Sequence, residues 1–221
     1  TEAIVDTLRR ADADWGAKAT LVGLPFNSEL YRDPAEAVAV LEGRRYALAV
    51  GDLSPRKNLT VLIDQWPAIH AATGLELVVA GSGAWRADDV VGRLEALERD
   101  GMAQWLRGLP DPNLRWMYEH AQVLLYPSRE EGFGLPVIEA IAVGTPVISS
   151  TDPALVEVGG GTTTPVDPDD ARGWYEAIVA AAATEPAHHE PVVPDWLATR
   201  PLVGERLVAA YERAISSRRP R

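Results

Sequence analysis

The stretch QVLLYPSREEGFGLPVIEAIAV, residues 122–143, decides the fold of this chain. It opens with a short apolar run, Gln122–Tyr126, which predicts a buried strand. A turn with two glycines follows, and the apolar pattern of Leu135–Val143 then predicts a helix. A strand, a turn and a helix in this order form the repeating unit of a parallel sheet covered by helices.

The same unit recurs along the chain, so the prediction extends to the whole fold. Strands are predicted at Tyr46–Val50, Leu75–Ala80, Gln104–Arg107, Gln122–Tyr126, Pro146–Ser149 and Thr162–Pro165. Helices are predicted at Leu59–Ala72, Asp88–Arg99, Pro112–Ala121, Leu135–Val143 and Asp170–Ala183. Because crossovers between parallel strands are right-handed, we expect an α/β, doubly wound, mostly parallel sheet of the Rossmann-like type. Such sheets bind ligands beyond the carboxyl ends of their strands, so the loops there are the place to look.

Composition narrows the possible functions. With 221 residues, 47% of them hydrophobic and 24% charged, the chain is long and apolar enough for one folded core. A net charge of −11 argues against a nucleic-acid surface, which needs clustered Lys and Arg. The absence of cysteine excludes disulfides and thiolate metal sites, and no apolar run reaches the roughly 20 residues of a membrane span. We therefore expect a soluble, cytoplasmic protein.

The first part of the chain differs from the repeating pattern. Residues 1–31 show a short helical pattern, a strand-like stretch at Ala19–Leu24 and a turn at Pro25–Ser28. They are interpreted as the tail of a preceding domain and its linker. The chain starts at Thr1 without a Met, so we expect a trimmed fragment.

Residues 32–195 are predicted to form the main domain. It ends in a linker rich in Pro and His at Pro186–Pro194, after which Asp195 can cap a last helix over Trp196–Ser216. Residues 196–221 are thus interpreted as a C-terminal helix followed by a basic tail.

The turn after the strand Gln122–Tyr126 carries a phosphate-site pattern. Gly132 and Gly134 allow backbone N–H groups to approach a ligand, and the helix that follows offers its positive N-terminal end. An ordinary βα turn with glycines for conformation is the alternative interpretation.

Two carboxylates, Glu131 and Glu139, bracket that turn. Both can face the crevice, where carboxylates are good acceptors for vicinal sugar hydroxyls. The alternatives are a helix-surface carboxylate for Glu139 and a favourable charge at a helix start for Glu131. A surface Glu is unexpected on a helix as apolar as Ala140–Val143, which favours a functional role.

The loop after the first strand, Gly51–Leu59, supplies the cation that an anionic ligand requires. Lys57 at the mouth of the crevice can neutralise a diphosphate, with Arg56 as a helper. The alternative is a solvated loop in which Asn58 caps the next helix.

Other motifs have weaker chemical meaning. The turn Gly81–Gly83 lacks the third glycine of a dinucleotide fingerprint, since Arg86 stands there, which counts against a nicotinamide or flavin enzyme. The acidic run Asp167–Asp170 is typical of a helix cap, and His188 and His189 have no partner at metal spacing. No Ser nucleophile elbow or zinc pattern supports a hydrolase.

Taken in order, the motifs resemble those of the family-four retaining glycosyltransferases of the GT-B fold, and the resemblance is to their C-terminal, donor-binding domain. It covers about Ala19 to Ser217 and rests on Gly51–Asn58, Val79–Gly83, Leu106–Asp111, Tyr126–Ala140, Gly144–Ser150 and Glu157–Gly160. The chain is therefore expected to form one half of a GT-B glycosyltransferase.

The resemblance implies a role for each residue of these loops. Lys57 would hold the donor diphosphate and Glu131 would engage sugar hydroxyls, which makes these two the catalytic candidates. The distal phosphate and the sugar would meet the amides of Gly132, Phe133, Gly134 and Leu135. Glu139 would hold the ribose, and the segment at Leu106 and Arg107 would contact the base edge through backbone groups.

One position departs from the family pattern, because many members carry Arg where this chain has Asp52 in the loop that begins at Gly51. Arg56 is expected to compensate in neutralising the diphosphate. The sequence Pro55–Leu59 is similar to that of a mannosyltransferase-like subgroup, which motivates GDP-mannose as the donor.

By the same resemblance, the intact enzyme would transfer a hexosyl group, for example mannosyl, from a nucleoside-diphosphate sugar to a glycan or lipid-linked acceptor in polysaccharide biosynthesis. The reaction would retain configuration and need neither metal nor cofactor. The acceptor site would lie in an N-terminal domain that precedes Pro25, so the chain alone is expected to be inactive, as a fragment or one subunit of a split enzyme. Any peripheral membrane association would come through that missing part.

Two other classes stay open. A non-catalytic nucleotide-binding or interaction module would keep the crevice without a partner domain. A GT-B sugar-nucleotide epimerase or phosphorylase would share the fold, but the combination of Lys57 with Glu131 and Glu139 favours transfer.

Overall fold

A computed structural model of the chain describes residues 1–13, 17, 19–21, 33–83, 87–184, 205–210 and 212–213. The strands are β1 (Tyr46–Val50), β2 (Glu76–Ala80), β3 (Ala103–Leu106), β4 (Val123–Tyr126), β5 (Val147–Ser150) and β6 (Thr164–Val166). The α-helices are α1 (Glu2–Ala11), α2 (Thr60–Ile63), α3 (Trp66–Thr73), α4 (Asp88–Arg99), α5 (Asp111–His120), α6 (Leu135–Ala142), α7 (Pro153–Gly159) and α8 (Ala171–Ala183). Two short 3₁₀ helices lie at Ala39–Leu41 and Pro55–Lys57.

The six strands form one sheet in the order β3-β2-β1-β4-β5-β6, and every neighbouring pair is parallel. The chain builds outward from β1 to β3, returns to the centre and builds outward again from β4 to β6. The predicted doubly wound α/β sheet of the Rossmann-like type is thus confirmed. The order reverses between β1 and β4, and ligand crevices form at such a switch point.

Both faces of the sheet are buried, because successive side chains of a strand point to opposite sides. In β1, Ala47 and Ala49 contact one core cluster, whereas Tyr46 and Leu48 contact the other. The first cluster packs beneath α2, α3, α4 and α8, and the second beneath α5, α6 and α7. Continuous apolar strands are what a sheet covered on both faces requires.

The sequence predicted most boundaries closely. The bounds of β1 and α4 agree with the prediction at both ends, and the remaining predicted strands shift by one or two residues at an end. The helix predicted over Leu59–Ala72 was wrong as a single element. It is divided into α2 and α3 because Pro67 has no N–H with which to continue the preceding helix. Proline is tolerated in the first turn of a helix, and Pro67 lies in the first turn of α3.

Helix α7 was missed by the sequence prediction. It has only seven residues, too few to show a helical period, and its start is set by the side chain of Asp152. Oδ1 of Asp152 accepts hydrogen bonds from the N–H groups of Ala154 and Leu155, at 2.9 and 3.3 Å.

The structure describes only part of the two chain ends, for which a helix and a strand were predicted before residue 32 and a helix after residue 195. The short helical pattern at the start of the chain is confirmed as α1, whereas residues 19–21 form no strand and residues 22–32 lie outside the described part. Within the predicted helix Trp196–Ser216, residues 205–210 and 212–213 are helical, and the other residues lie outside the described part of the chain. Among the residues that the structure describes, no helix is both long and apolar enough to cross a bilayer. The domain limits at 31 and 195 and the cytoplasmic location stay predictions.

Candidate functional site

The loops that follow β1 and β4 are joined at the carboxyl edge of the sheet. The backbone N–H of Arg129 donates to the carbonyl of Arg56 at 2.9 Å. Asn58, which is buried and has a left-handed backbone with φ 54°, donates from Nδ2 to the carbonyls of Pro127 and Pro168. Asn58 therefore bridges loops and is not the N-cap of α2, a position that belongs to Leu59.

This junction brings Lys57 against Glu131. Nζ of Lys57 lies 2.7 Å from Oε1 of Glu131, and the two side chains expose only 12% and 9% of their surface. The hydroxyl of Tyr126 accepts a hydrogen bond from Nζ at 2.5 Å and lies 3.1 Å from the same Oε1. The Lys57 ammonium also stands 4.6 Å from the centre of the Tyr126 ring. The predicted cation thus lies in a nearly buried cluster.

Arg56 is the second cation of the cluster. Its Nη1 lies 2.8 Å from Oε1 of Glu131 and 2.7 Å from the carbonyl of Glu130, and 43% of its side chain is exposed. Burial by itself would raise the pKa of Glu131, but hydrogen bonds from Lys57 and Ser128 and the charges of Lys57 and Arg56 outweigh it. The pKa of Glu131 lies below its ordinary value, so this carboxylate is ionised at neutral pH.

Asp52 adds a second negative charge beside these cations. Its Oδ1 accepts a hydrogen bond from the backbone N–H of Ser54 at 3.0 Å. Hydrogen bonding to Ser54 is the largest cause of its lowered pKa, and Lys57 and Arg56 lower it further. Two positive charges, on Lys57 and Arg56, and two negative charges, on Glu131 and Asp52, therefore balance in this cluster.

Two glycines in the neighbouring loops serve packing. A Cβ on Gly51 would stand 3.2 Å from Cε of Lys57, so the missing side chain leaves room for the lysine stem. The loops after β1 and β2 also touch, since the N–H of Leu53 donates to the carbonyl of Ser82 at 3.2 Å. At Gly81, a Cβ would collide with the carbonyl of Gly51. Gly81 is therefore needed for the contact between the two loops.

The glycine turn before α6 leaves open space beside Gly132. Gly134 has φ 88°, and a Cβ there would lie 2.4 Å from Cδ2 of Leu155. Gly132 has nothing within 4 Å of a Cβ position, and Phe133 packs half-buried on the second core cluster. In the first turn of α6, Pro136 has no N–H, and the N–H groups of Val137 and Ile138 donate to the carbonyl of Gly134 at 3.0 and 3.4 Å. The N–H of Leu135 is the one that remains at the start of the helix. An anion placed there would meet the positive end of the helix.

Glu139 lies on α6 but outside the Lys57 cluster. It is 9% exposed, which excludes the surface-carboxylate interpretation, and its Oε2 accepts a hydrogen bond from the hydroxyl of Tyr118 at 2.8 Å. Burial raises the pKa of Glu139, the Tyr118 hydrogen bond opposes that shift, and the charge of Asp111 adds to it. A ribose role for this residue stays a prediction.

The predicted base-edge segment ends β3. The carbonyl of Leu106 accepts the N–H of Gly81 at 3.0 Å, so this carbonyl is already used within the sheet edge. The Arg107 guanidinium stacks over the ring of Trp105 at 4.0 Å, and the Trp105 indole N–H donates to the carbonyl of Gly81. The structure thus holds Arg107 against an indole and does not bring it to Lys57.

Sequence reasoning missed the two tyrosines that contact the predicted carboxylates. Tyr126 ends a buried strand and Tyr118 lies in a helix, and neither was singled out from the sequence as a site residue. An aromatic with a hydroxyl at the end of a strand, directly before a loop with chemistry, was the available signal for Tyr126. Within the described part of the chain, no three His, Asp or Glu side chains come together as metal ligands.

Comparison with known proteins assigns the family. A family model described as "Glycosyl transferases group 1" matches residues 44–184, which include the whole sheet and both joined loops. The chain belongs to this glycosyltransferase family. The resemblance inferred from the loop motifs is thereby confirmed at the level of the family.

Among the curated relatives of this glycosyltransferase chain are mannosyltransferases. "O-antigen chain mannosyltransferase B" of Escherichia coli is 37% identical over 147 residues, which are 63% of this chain and 38% of the relative. "D-inositol 3-phosphate glycosyltransferase" of Mycolicibacterium smegmatis is 30% identical over 203 residues, 86% of this chain and 45% of the relative. The chain thus spans less than half the length of these relatives.

Solved structures confirm the fold of the glycosyltransferase chain. "Trehalose-6-phosphate synthase. OtsA" matches with a TM-score of 0.62 at 15% identity, over 90% of this chain and 51% of that one. "Trehalose-6-phosphate from E. coli bound with UDP-2-fluoro glucose" matches with a TM-score of 0.58 at 15% identity, over 84% of this chain and 45% of that one. At this identity the likeness concerns the fold, which is that of one half of GT-B glycosyltransferases.

Proposed function

We propose that this chain is the donor-binding part of a retaining glycosyltransferase that uses a nucleoside-diphosphate hexose. The observation that carries the proposal is the position of Lys57. It lies at the switch point of the sheet and contacts Glu131, in the loop that leads into the N-terminal end of α6. A cation and a helix N-terminus together are suited to a diphosphate, even in a chain with a net charge of −11.

In this proposal the loops stabilise the leaving group. As the bond between the sugar and the distal phosphate breaks, negative charge develops on the phosphate oxygens. The Lys57 ammonium and the positive N-terminal end of α6 would stabilise this charge. Glu131, anchored through Oε1, is ionised and can accept from sugar hydroxyls, and the buried Glu139 can accept from the ribose. The side chains of this mechanism require neither metal nor cofactor.

A mannosyl donor is the more specific part of the proposal. It is supported by relatives whose names describe mannosyltransferases of O-antigen chains, at 37% and 35% identity, and it makes GDP-mannose the first donor to test. The acceptor, a glycan or a lipid-linked sugar, would bind to a further domain of the whole protein. We therefore expect this chain alone to bind donor without transferring its sugar.

Calorimetric titration of the chain with GDP, UDP and GDP-mannose, with NAD as a dinucleotide control, tests the proposal. We expect saturable binding of one nucleoside diphosphate, matched or exceeded by its sugar conjugate, and unchanged in the presence of EDTA. Binding of NAD in preference to the diphosphates would indicate a dinucleotide site instead. A folded chain that binds none of the four would favour the non-catalytic interaction module.

A further inference from the structure

The hydroxyl of Tyr126 connects the two charged side chains of the site. Oη lies 2.5 Å from Nζ of Lys57 and 3.1 Å from Oε1 of Glu131, while Nζ and Oε1 are 2.7 Å apart, so the three atoms form a closed triangle. Tyr126 is 2% exposed, and the side chains of Lys57 and Glu131 expose 12% and 9% of their surface, so the triangle is nearly buried.

The chemistry of the three groups fixes the direction of each hydrogen bond. An ammonium can only donate, so Tyr126 must accept from Lys57 through an oxygen lone pair. An ionised carboxylate can only accept, so the single phenol proton must point to Glu131. Burial, followed by the charge of Glu131, raises the pKa of Tyr126, which keeps that proton on the phenol at neutral pH. The phenol is thus held in one orientation.

This arrangement also sets which way the ammonium faces. Among the described residues, Tyr126 and Glu131 accept from Nζ of Lys57, and the ring of Tyr126 lies beneath it. An ammonium has three N–H donors, so one is left for a ligand oxygen. Without the hydroxyl, Glu131 alone would hold Nζ, and a lysine side chain with its four rotatable bonds would sample more positions.

We infer that Tyr126 is a positioning residue of this site, which fixes Lys57 and Glu131 so that the remaining N–H of Lys57 faces a diphosphate. The inference rests on the proposed function for its ligand, whereas the hold on Lys57 exists without one. Tyr126 acts through its hydroxyl, and its ring is the part that packs in the second core cluster.

The variant Tyr126→Phe removes the hydroxyl and keeps the ring. The matched control is Tyr46→Phe, because Tyr46 is 1% exposed and also donates one buried hydrogen bond, to the carbonyl of Met117 at 2.8 Å. That bond lies at the start of β1, the opposite end of the strand from Lys57. Both variants lose a buried phenol hydroxyl, but only Tyr126→Phe loses it at the site.

The first measurement needs no ligand. The chain has two lysines, Lys18 and Lys57, so ¹⁵N-labelled lysine gives two ammonium signals in NMR spectra. We expect the Lys57 ammonium protons to exchange with water about fivefold faster or more in Tyr126→Phe, as follows from the loss of one hydrogen bond to a charged group. Tyr46→Phe should leave that rate unchanged. Equal exchange rates in wild type and Tyr126→Phe would overturn the inference.

The second measurement is titration with GDP and UDP, on wild type, Tyr126→Phe, Lys57→Ala and the double variant. We expect Tyr126→Phe to bind about tenfold more weakly than wild type, but to change the affinity less than about twofold in the Lys57→Ala background, because it acts through Lys57. An equal loss in both backgrounds, or no loss in either, would show that Tyr126 does not act through Lys57. If wild type bound neither diphosphate, the proposed function would fail, and the exchange rates would still decide the role of Tyr126.

Discussion

A Cβ atom on Gly81 would stand 1.9 Å from the carbonyl oxygen of Gly51, so the loops after β2 and β1 approach as closely as two backbones can. Gly81 also has φ 155°, a conformation that other residues avoid. We expect Gly81→Ala to lower the free energy of unfolding by about 3 kcal/mol or more, since overlap and strain add. Urea unfolding followed by circular dichroism measures it.

The control for this variant is Gly92→Ala. Gly92 lies within α4, is exposed, and has nothing within 4 Å of a Cβ position. Alanine there should raise the free energy of unfolding by about 0.5–1 kcal/mol, because it is the better helix former. A Gly81→Ala chain as stable as wild type would show that the two loops can separate without cost.

Removal of the Lys57 ammonium should weaken the binding of a nucleoside diphosphate by about 1.5–3 kcal/mol, the loss of one charge-assisted contact. The fold should survive Lys57→Ala, since Arg56 and Tyr126 still satisfy Glu131. Arg172→Ala removes one positive charge at an 86% exposed side chain of α8 and should bind as wild type does. Calorimetry compares the three chains, and an unchanged affinity in Lys57→Ala would remove this lysine from the site.

Neutralising Asp52 should strengthen diphosphate binding. Asp52→Asn keeps an oxygen for the Ser54 N–H but removes a charge that offsets Lys57 and Arg56. We expect affinity to rise about two- to fivefold at low salt and the gain to shrink as salt screens it. Asp89→Asn, at a 69% exposed side chain paired with Arg93, serves as the control. Weaker binding by Asp52→Asn would mean that this carboxylate helps to hold the ligand.

Glu139 and Glu131 should affect stability in opposite directions as the pH changes. The pKa of Glu139 is raised above 4.5 in the folded chain, so the folded state favours the protonated form and loses stability as pH rises above 4.5. Glu139→Gln removes that cost and keeps an acceptor for Tyr118, and it should therefore be more stable than wild type at pH 7. The difference should shrink as the pH falls through the raised folded pKa toward 4.5, which unfolding curves at several pH values would reveal.

Glu131 provides the opposite case within the same helix-and-loop unit. Its pKa is lowered, so its contribution to stability is present above pH 4.5 and is lost as the pH falls through the folded value. Glu131→Gln should accordingly be less stable than wild type at pH 7, with a difference that narrows on acidification. If both variants followed the same pH trend, the assigned environments of the two carboxylates would be wrong.

The fold could largely be predicted from the sequence, because most of its strands and helices have a recognisable local pattern of apolar residues. The run Tyr46–Val50 is apolar at every position, as a strand buried on both faces requires, and glycines or prolines follow most such runs. The order of the strands then follows from general rules of handedness and connection. Where local pattern was short or interrupted, as in Pro153–Gly159 or at Pro67, the prediction failed.

The site was only partly readable, because its geometry depends on contacts between distant residues. The sequence identified Lys57 and Glu131 as separate candidates, but nothing local shows that they meet across 74 positions. Arg107, directly after β3, stacks on Trp105 within that strand, and the motif that predicted a base contact does not indicate this stacking. The alternative interpretation of Asn58 as a helix N-cap rested on its residue type, whereas in the structure its left-handed backbone lets its side chain bond to two other loops.

Because the strand order reverses, the site is assembled from two separate halves of the chain. Strands β1 to β3, with Lys57, arise from the chain before residue 107, and strands β4 to β6, with Glu131, arise from the chain after residue 110. Each half contributes one charge of the central ion pair, so neither half contains a site of its own. If the two pieces on either side of residues 107–110 are prepared separately, we expect neither to bind a diphosphate, and recovery of binding on mixing would measure their reassembly.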